Sequence, residues 1–165
     1  MKYTLSVLVE NQPGVLSKVV GLFSRRGFNI DSLAVGETES PETSRITIVV
    51  DGDELIVEQV EKQLNKIIPV IKVKNLSAGG KYLSCELCLI KVSCTAAQRP
   101  EVIEIANMMR SEIIDVGLKT VTLRFAGTAD RAETLFTLLQ PYGVREIVRT
   151  GTIAMEKGDA VTRGR

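Results

Sequence analysis

The hydrophobic repeat of this chain changes period in a set order, and that order restricts the fold more than any other feature of its 165 residues. A strand puts alternate side chains on one face, whereas a helix gathers residues three and four apart. Over residues 3–9, Leu5, Val7 and Val9 alternate, which predicts a strand. Past the NQPG stretch at 11–14 the spacing becomes helical. Val15, Leu16, Val19, Val20, Leu22 and Phe23 recur on one side, Lys18, Arg25 and Arg26 fall on the other, and Gly27 stands where a helix C-cap belongs. Residues 29–37 and 45–50 return to strand patterns on either side of the polar turn ESPETS and predict a hairpin. A second helical run follows Asp51-Gly52-Asp53, with Ile56, Val57, Val60, Leu64, Ile67 and Ile68 aligned until Pro69 ends it; Val70, Ile71 and Val73 make a last strand. The order β-α-β-β-α-β belongs to the split β-α-β, or ferredoxin-like, unit, whose two helices cover one face of a four-stranded antiparallel sheet. The other face is expected to be open. A unit of about 75 residues has a small core, which dimerisation can complete.

Residues 77–82, with the chain's single Gly-Gly pair, read as a linker between a domain at 1–76 and another at 83–165. The order of elements then repeats. Residues 83–92 alternate as a strand; 100–111 are helical, with Val102, Ile105, Ala106 and Met109 aligned; 113–116 make a short strand; and 119–125 place Val121, Leu123 and Phe125 inward. Residues 130–140 are helical through Leu135, Phe136 and Leu139, and 145–155 close as a strand. The pattern repeats while the residues do not. The expected fold class is α+β, with two ferredoxin-like domains, the first suited to pairing side by side.

Composition narrows the function. Apolar residues at 44% and charged residues at 25% suit a folded globular chain, and 21 Lys plus Arg against 20 Asp plus Glu give no electrostatic footprint for nucleic acid or an anionic membrane. The basic residues at 157–165, Arg163 and Arg165 among them, read as a frayed end. No apolar run approaches the ~20 residues that span a bilayer, and strand-like alternation begins without a signal-peptide core, so the cytoplasm is expected. The chain has no His, which removes the commonest general base and the commonest metal ligand. Cys85 and Cys88 have C-x-x-C spacing, but the run YLSCELCLIKVSC alternates as a strand, and residues three apart on a strand face opposite ways. With Cys94 the chain has three cysteines, short of a four-ligand zinc set, so reduced, inert strand cysteines are expected. Neither catalytic residues nor a metal site are assigned.

The NQPG turn opens a helix, where the first backbone N–H groups lack partners and carry the positive end of the dipole, a setting suited to a carboxylate. Gly14, Val15 and Leu16 would supply those donors; Asn11 would cap the helix or bond a ligand; Pro13 stiffens the turn. Taken alone, the turn is explained more readily without a ligand, Asn11 being a plain N-cap and Pro-Gly a plain turn. Asn29, read as buried early in the second strand, favours a site, because a strand rarely holds Asn unless its amide is partnered; a turn-edge position is the alternative.

With these residues in view, the run LSVLVENQPGVLSKVVGLFSRRGFNIDSLAVGETE, followed by SRITIVVDGD and VEQVEKQLNKIIPVIKV, resembles the ACT-domain half of the small, regulatory subunits of acetolactate synthase. The resemblance covers residues 2–76 and continues more loosely through IIDVG, AGT and YGVREIVRTG. It implies a non-catalytic subunit of branched-chain amino-acid biosynthesis that binds and activates a large thiamine-diphosphate-dependent subunit, with FAD and Mg also on that partner and no cofactor on this chain. It also implies feedback inhibition by valine, held where two ACT domains pair into a homodimer. Carried over residue by residue, Asn11, Gly14, Val15 and Leu16 would meet the effector's polar groups from one chain, and Asn29 and Ile30 would contribute from the other. Asp31 stands where the family frequently has Glu. Valine is favoured over leucine and isoleucine, although one methylene discriminates by only about 1 to 3 kcal/mol. A free-standing amino-acid sensor or adaptor is the alternative; an autonomous enzyme fits poorly with the absence of His and of any phosphate-loop motif.

Overall fold

The computed structural model describes residues 1–163. Two compact units emerge: residues 1–84 together with the chain from Thr152 onward, and Cys85–Gly151.

In the first unit β1 (Lys2–Glu10), α1 (Val15–Arg26), β2 (Ile30–Glu37), β3 (Thr43–Asp51), α2 (Glu54–Leu64) and β4 (Val70–Asn75) follow in the expected order. The strands form an antiparallel sheet in the order β2-β3-β1-β4. Two glycines bound α1. Gly14 at its start has φ 84°, and Gly27 at its end has φ 68°, where the Phe28 N–H returns to the Phe23 carbonyl at 3.0 Å. Both are left-handed conformations that only glycine adopts without strain. Asp53 caps α2, its side chain accepting from the Ile56 N–H at 2.9 Å. Leu5, Val7 and Val9 of β1 and Ile46, Ile48 and Val50 of β3 pack against Val15, Val19, Leu22 and Phe23 of α1 and Val57, Val60 and Leu64 of α2. Ile68 departs from its expected place. The helix stops at Leu64, the chain turns through Ile67 N–H to the Leu64 carbonyl, and Ile68 is left 94% exposed.

The opposite face of this sheet is not open. Thr4, Ser6, Leu8, Thr47 and Val49 all point away from the helices and are nonetheless buried. They lie beneath the C-terminal segment, in which the chain expected as one strand over 145–155 breaks at Gly151, φ 82°, into β8 (Val144–Arg149) and β9 (Ile153–Glu156). The segment returns to the first unit: the Thr152 N–H donates to Ser32 Oγ at 2.8 Å, Lys157 N–H to the Lys81 carbonyl at 3.0 Å, and Arg45 Nη2 to the Thr162 carbonyl at 2.8 Å. The expected frayed end is therefore tied down at Lys157 and at the buried Thr162, while residues 158–161 and Arg163 are exposed; Arg165 lies outside the described residues. Leu76 and the turn Ser77–Gly79 are likewise bound to β1, Leu76 N–H donating to the Thr4 carbonyl.

The second unit repeats the architecture with β5 (Tyr82–Ser93, largely in this unit), α3 (Arg99–Met108), β6 (Glu112–Val116), β7 (Thr120–Gly127), α4 (Ala129–Leu139) and β8, its strands ordered β6-β7-β5-β8. Val102, Ala106, Val121, Leu123, Phe125, Leu135, Phe136 and Leu139 share its core with Cys88, Ile90 and Val92. One carboxylate enters that core. Glu86 is 3% exposed, and Arg149 meets it through Nη2 at 2.6 Å and Nε at 3.3 Å while reaching Glu133 at 2.8 Å through Nη1. The pairing satisfies a charge that would otherwise be prohibitive to bury. Cys88 lies two residues along β5, and burial, reinforced by the Glu86 charge, raises its thiol to about 11. No described helix is long and apolar enough to cross a membrane, and among the described residues no group of three or more His, Cys, Asp or Glu is placed to hold a metal.

Two outcomes follow from these cores. Phe23→Ala, which empties a fully buried site between α1 and the sheet, should cost about 3 to 5 kcal/mol, read as a lower urea midpoint for the first unit. At pH 8, alkylation should reach the partly exposed Cys85 first, with Cys88 protected until denaturant is added or the pH approaches its raised pKa. Equal rates for the two thiols would contradict the packing described.

Candidate functional site

The turn between β1 and α1 is held from below. Asn11 N–H donates to the Glu42 carbonyl at 2.8 Å and Gln12 N–H to the Glu10 carbonyl at 3.0 Å, fixing the loop against the β2–β3 connection. The Asn11 side chain does not cap α1: its Nδ2 donates to the Pro41 carbonyl at 2.9 Å and to Glu37 Oε1 at 3.3 Å. Gly14 occupies the cap position, and no side chain bonds the helix start. The plain N-cap reading of Asn11 is thus replaced by a loop-bracing role. Sequence reasoning missed Glu37 because its partner is 26 residues away.

Of the three expected amide donors, Val15 N–H turns back on the Gln12 carbonyl at a long 3.4 Å, while Gly14 and Leu16 N–H have no acceptor among the described residues. Both residues are exposed, Leu16 at 40%, whereas the Val15 side chain is buried in the core. The helix start therefore presents two unpaired N–H groups to solvent beside an apolar side chain. A helix dipole in such a place contributes about 0.3 to 1 kcal/mol toward an anion when exposed and up to ~2 when partly buried. A second, buried contact surface is needed for firm binding. The depression of about 450 Å³ on the same loop, lined by Glu10, Asn11, Gln12, Glu42, Thr43 and Ile71, is no substitute, since its two carboxylates repel an anion.

Asn29 is not where the sequence placed it. It precedes β2, is exposed, and its Nδ2 donates to Asp31 Oδ1 at 3.3 Å, the turn-edge position of the alternative reading. Ile30 begins β2 and packs in part against the first core. The turn at 11–16 and the pair Asn29–Ile30 lie at opposite ends of α1. Twelve residues at 1.5 Å each separate them by about 18 Å. One chain does not bring the six residues together. β2, which begins at Ile30, is an edge strand with one row of backbone groups unpaired in the sheet among the described residues, and Val35 on it is 48% exposed.

Comparison with known proteins identifies the family. Residues 5–72 match the AHAS small subunit-like ACT domain, and residues 85–158 match the family described as the small subunit of acetolactate synthase. Among curated relatives, a probable acetolactate synthase small subunit of Archaeoglobus fulgidus is 47% identical, covering 96% of this chain and 99% of its own. The acetolactate synthase small subunit of Mycobacterium leprae is 51% identical over 94% of this chain and 92% of its own. The crystal structure of the small subunit from Thermotoga maritima superposes with a TM-score of 0.88 at 38% identity, covering 97% of this chain and 99% of that one. The chain belongs to the acetolactate synthase small-subunit family, with that family's ACT domain forming its first half.

Proposed function

We propose that this chain is the regulatory, non-catalytic subunit of acetolactate synthase in branched-chain amino-acid biosynthesis. It binds the large thiamine-diphosphate-dependent subunit in the cytoplasm, raises its conversion of pyruvate to 2-acetolactate, and confers inhibition by valine. Residues 1–76 are the effector-binding and dimerising domain, 77–82 the connection, and 83–165 the second half of the chain, whose residues from Thr152 return to the first unit. The observation that carries the reading is the separation of the site residues by the length of α1. Two chains paired antiparallel along the α1/β2 edge bring the turn of one beside Asn29 and Ile30 of the other, so each dimer has two half-sites of each kind.

The chemistry of such a composite site suits a small branched amino acid. The unpaired N–H groups of Gly14 and Leu16 donate to the carboxylate, Asn11 and Asn29 lie within the polar rim, and Leu16 with the partner's Ile30 encloses the side chain. Pairing also excludes water from the helix start, which strengthens the dipole contribution. Valine bound across the pair favours one relative arrangement of the two chains, and a coupling of about 1 to 3 kcal/mol changes affinity for the large subunit 5- to 150-fold.

In a reconstituted assay the chain should stimulate the large subunit, and added valine should return the rate toward that of the large subunit alone; absence of stimulation leaves only a free-standing sensor. Gly14→Asn and Gly14→Asp test the amide site as a pair. Asn tolerates the left-handed turn and is uncharged, so it should weaken valine binding little, whereas the nearly isosteric Asp carboxylate should weaken it by tenfold or more, roughly a Coulomb repulsion of 1.4 kcal/mol. Equal calorimetric affinities for the two variants rule the site out. Val35→Lys at the β2 edge should shift sedimentation toward monomer and reduce valine affinity in parallel.

A further inference from the structure

The turn that leads into α1 carries amide donors, yet carboxylates stand around it. Glu10 and Glu42 line the depression beside Asn11 and Gln12, and Glu37 reaches the Asn11 side chain from the end of β2. None of these three is ion-paired among the described residues. Other carboxylates nearby in the sequence are already matched. Glu39 is met by Arg163 at 3.7 Å, and at the far end of α1 Asp31 is met by Lys2 at 3.1 Å and by Asn29. Unmatched carboxylates disfavour a bare anion at the helix start. A zwitterion is not disfavoured: its carboxylate takes the N–H groups while its ammonium finds acceptors beside them.

Asn11 shows which acceptors these are. Its side chain meets the Pro41 carbonyl at 2.9 Å and Glu37 Oε1 at 3.3 Å. Both neighbours can only accept, so the Nδ2 end must face them; a flipped amide would set oxygen against two oxygens. Both amide hydrogens are then spent, and Asn11 Oδ1 points away from them with no donor among the described residues. Glu37 keeps its second carboxylate oxygen, Oε2, without a donor as well. One exposed carboxylate therefore fixes the direction of the Asn11 amide and places a negative charge next to it.

On the basis of the effector reading above, we propose that Glu37 makes the site specific for amino acids over anions of the same carbon skeleton. It holds Asn11 Oδ1 toward the ligand's ammonium group and shares that group through its own carboxylate, a charge-assisted contact. Glu10 and Glu42 add to the same field. A branched 2-oxo acid offers the same side chain and carboxylate, but it is a net anion with no N–H to donate. It meets Asn11 Oδ1 acceptor to acceptor and Glu37 charge to charge. The apolar enclosure by Leu16 and the partner's Ile30 does not separate two ligands with identical side chains, so discrimination falls to these polar groups.

Calorimetry of the full chain with L-valine and, separately, with 3-methyl-2-oxobutanoate tests it at one ionic strength. The unaltered chain should bind valine more tightly by about a hundredfold or more. Glu37→Gln keeps an oxygen that accepts from Asn11 and removes only the charge. It should weaken valine by about tenfold, the loss expected for a charge-assisted hydrogen bond, while the oxo acid binds as before or better. Glu39→Gln removes a charge already matched by Arg163 and should leave the ratio of the two affinities unaltered. If the unaltered chain binds neither ligand, the effector reading and the role of Glu37 fall together. If it binds valine, the role of Glu37 alone is overturned by any of three results: the oxo acid binds equally well, Glu37→Gln leaves the ratio unchanged, or Glu39→Gln lowers it as much.

Discussion

The length of α1 is the constraint on which the functional architecture depends. Twelve residues between Gly14 and Gly27 hold the helix start, with its unpaired amides, and the Asn29–Ile30 corner about 18 Å apart, and a rigid helix cannot be bent to join them. A site that uses both ends must take one from each of two chains. The same helix exposes Leu16 at its start, and β2, which follows it, is an edge strand of the sheet. Binding and association then become one equilibrium, which is a direct physical route from effector concentration to quaternary arrangement.

The two left-handed glycines make that helix possible. Gly14 lets β1 turn straight into α1 with no side-chain cap, leaving the first amides unclaimed by the protein; Asn11 is drawn instead to the Pro41 carbonyl and Glu37. An Asn or Ser cap would have satisfied one of those amides and weakened the setting for a ligand. The second unit lacks such a start: α3 begins at Arg99-Pro100 after Gln98, whose side chain accepts from Thr95. Two units of similar architecture thus differ at the one position where backbone donors would face a ligand.

Local patterns in the sequence carried most of the fold. The switch of period at Gly14, the C-cap at Gly27 and the Asp53 cap all act within a few residues, so the four strands of the first unit were legible to within about two residues, the usual margin for element ends. The misplaced features depend on distant partners. Ile68 fits the helical repeat, yet α2 had already ended at Leu64. Asn29 was drawn into β2 by its neighbours' pattern, although its amide is satisfied by Asp31 outside the strand. The covered sheet face was beyond periodicity altogether, because it rests on Arg45 meeting Thr162 and Ser32 meeting Thr152, each more than 100 residues apart. A charged residue opening the apolar run of β3 was the one local sign that this face had a polar partner.

In the proposed site an amino acid is held jointly by two chains. A crystal structure of the chain grown with valine tests it most directly. The predicted result is a valine carboxylate within hydrogen-bonding distance of the Gly14 and Leu16 N–H groups of one chain, with its side chain against Ile30 of a second chain paired along β2. Valine bound entirely within one chain, or bound away from the start of α1, would contradict it.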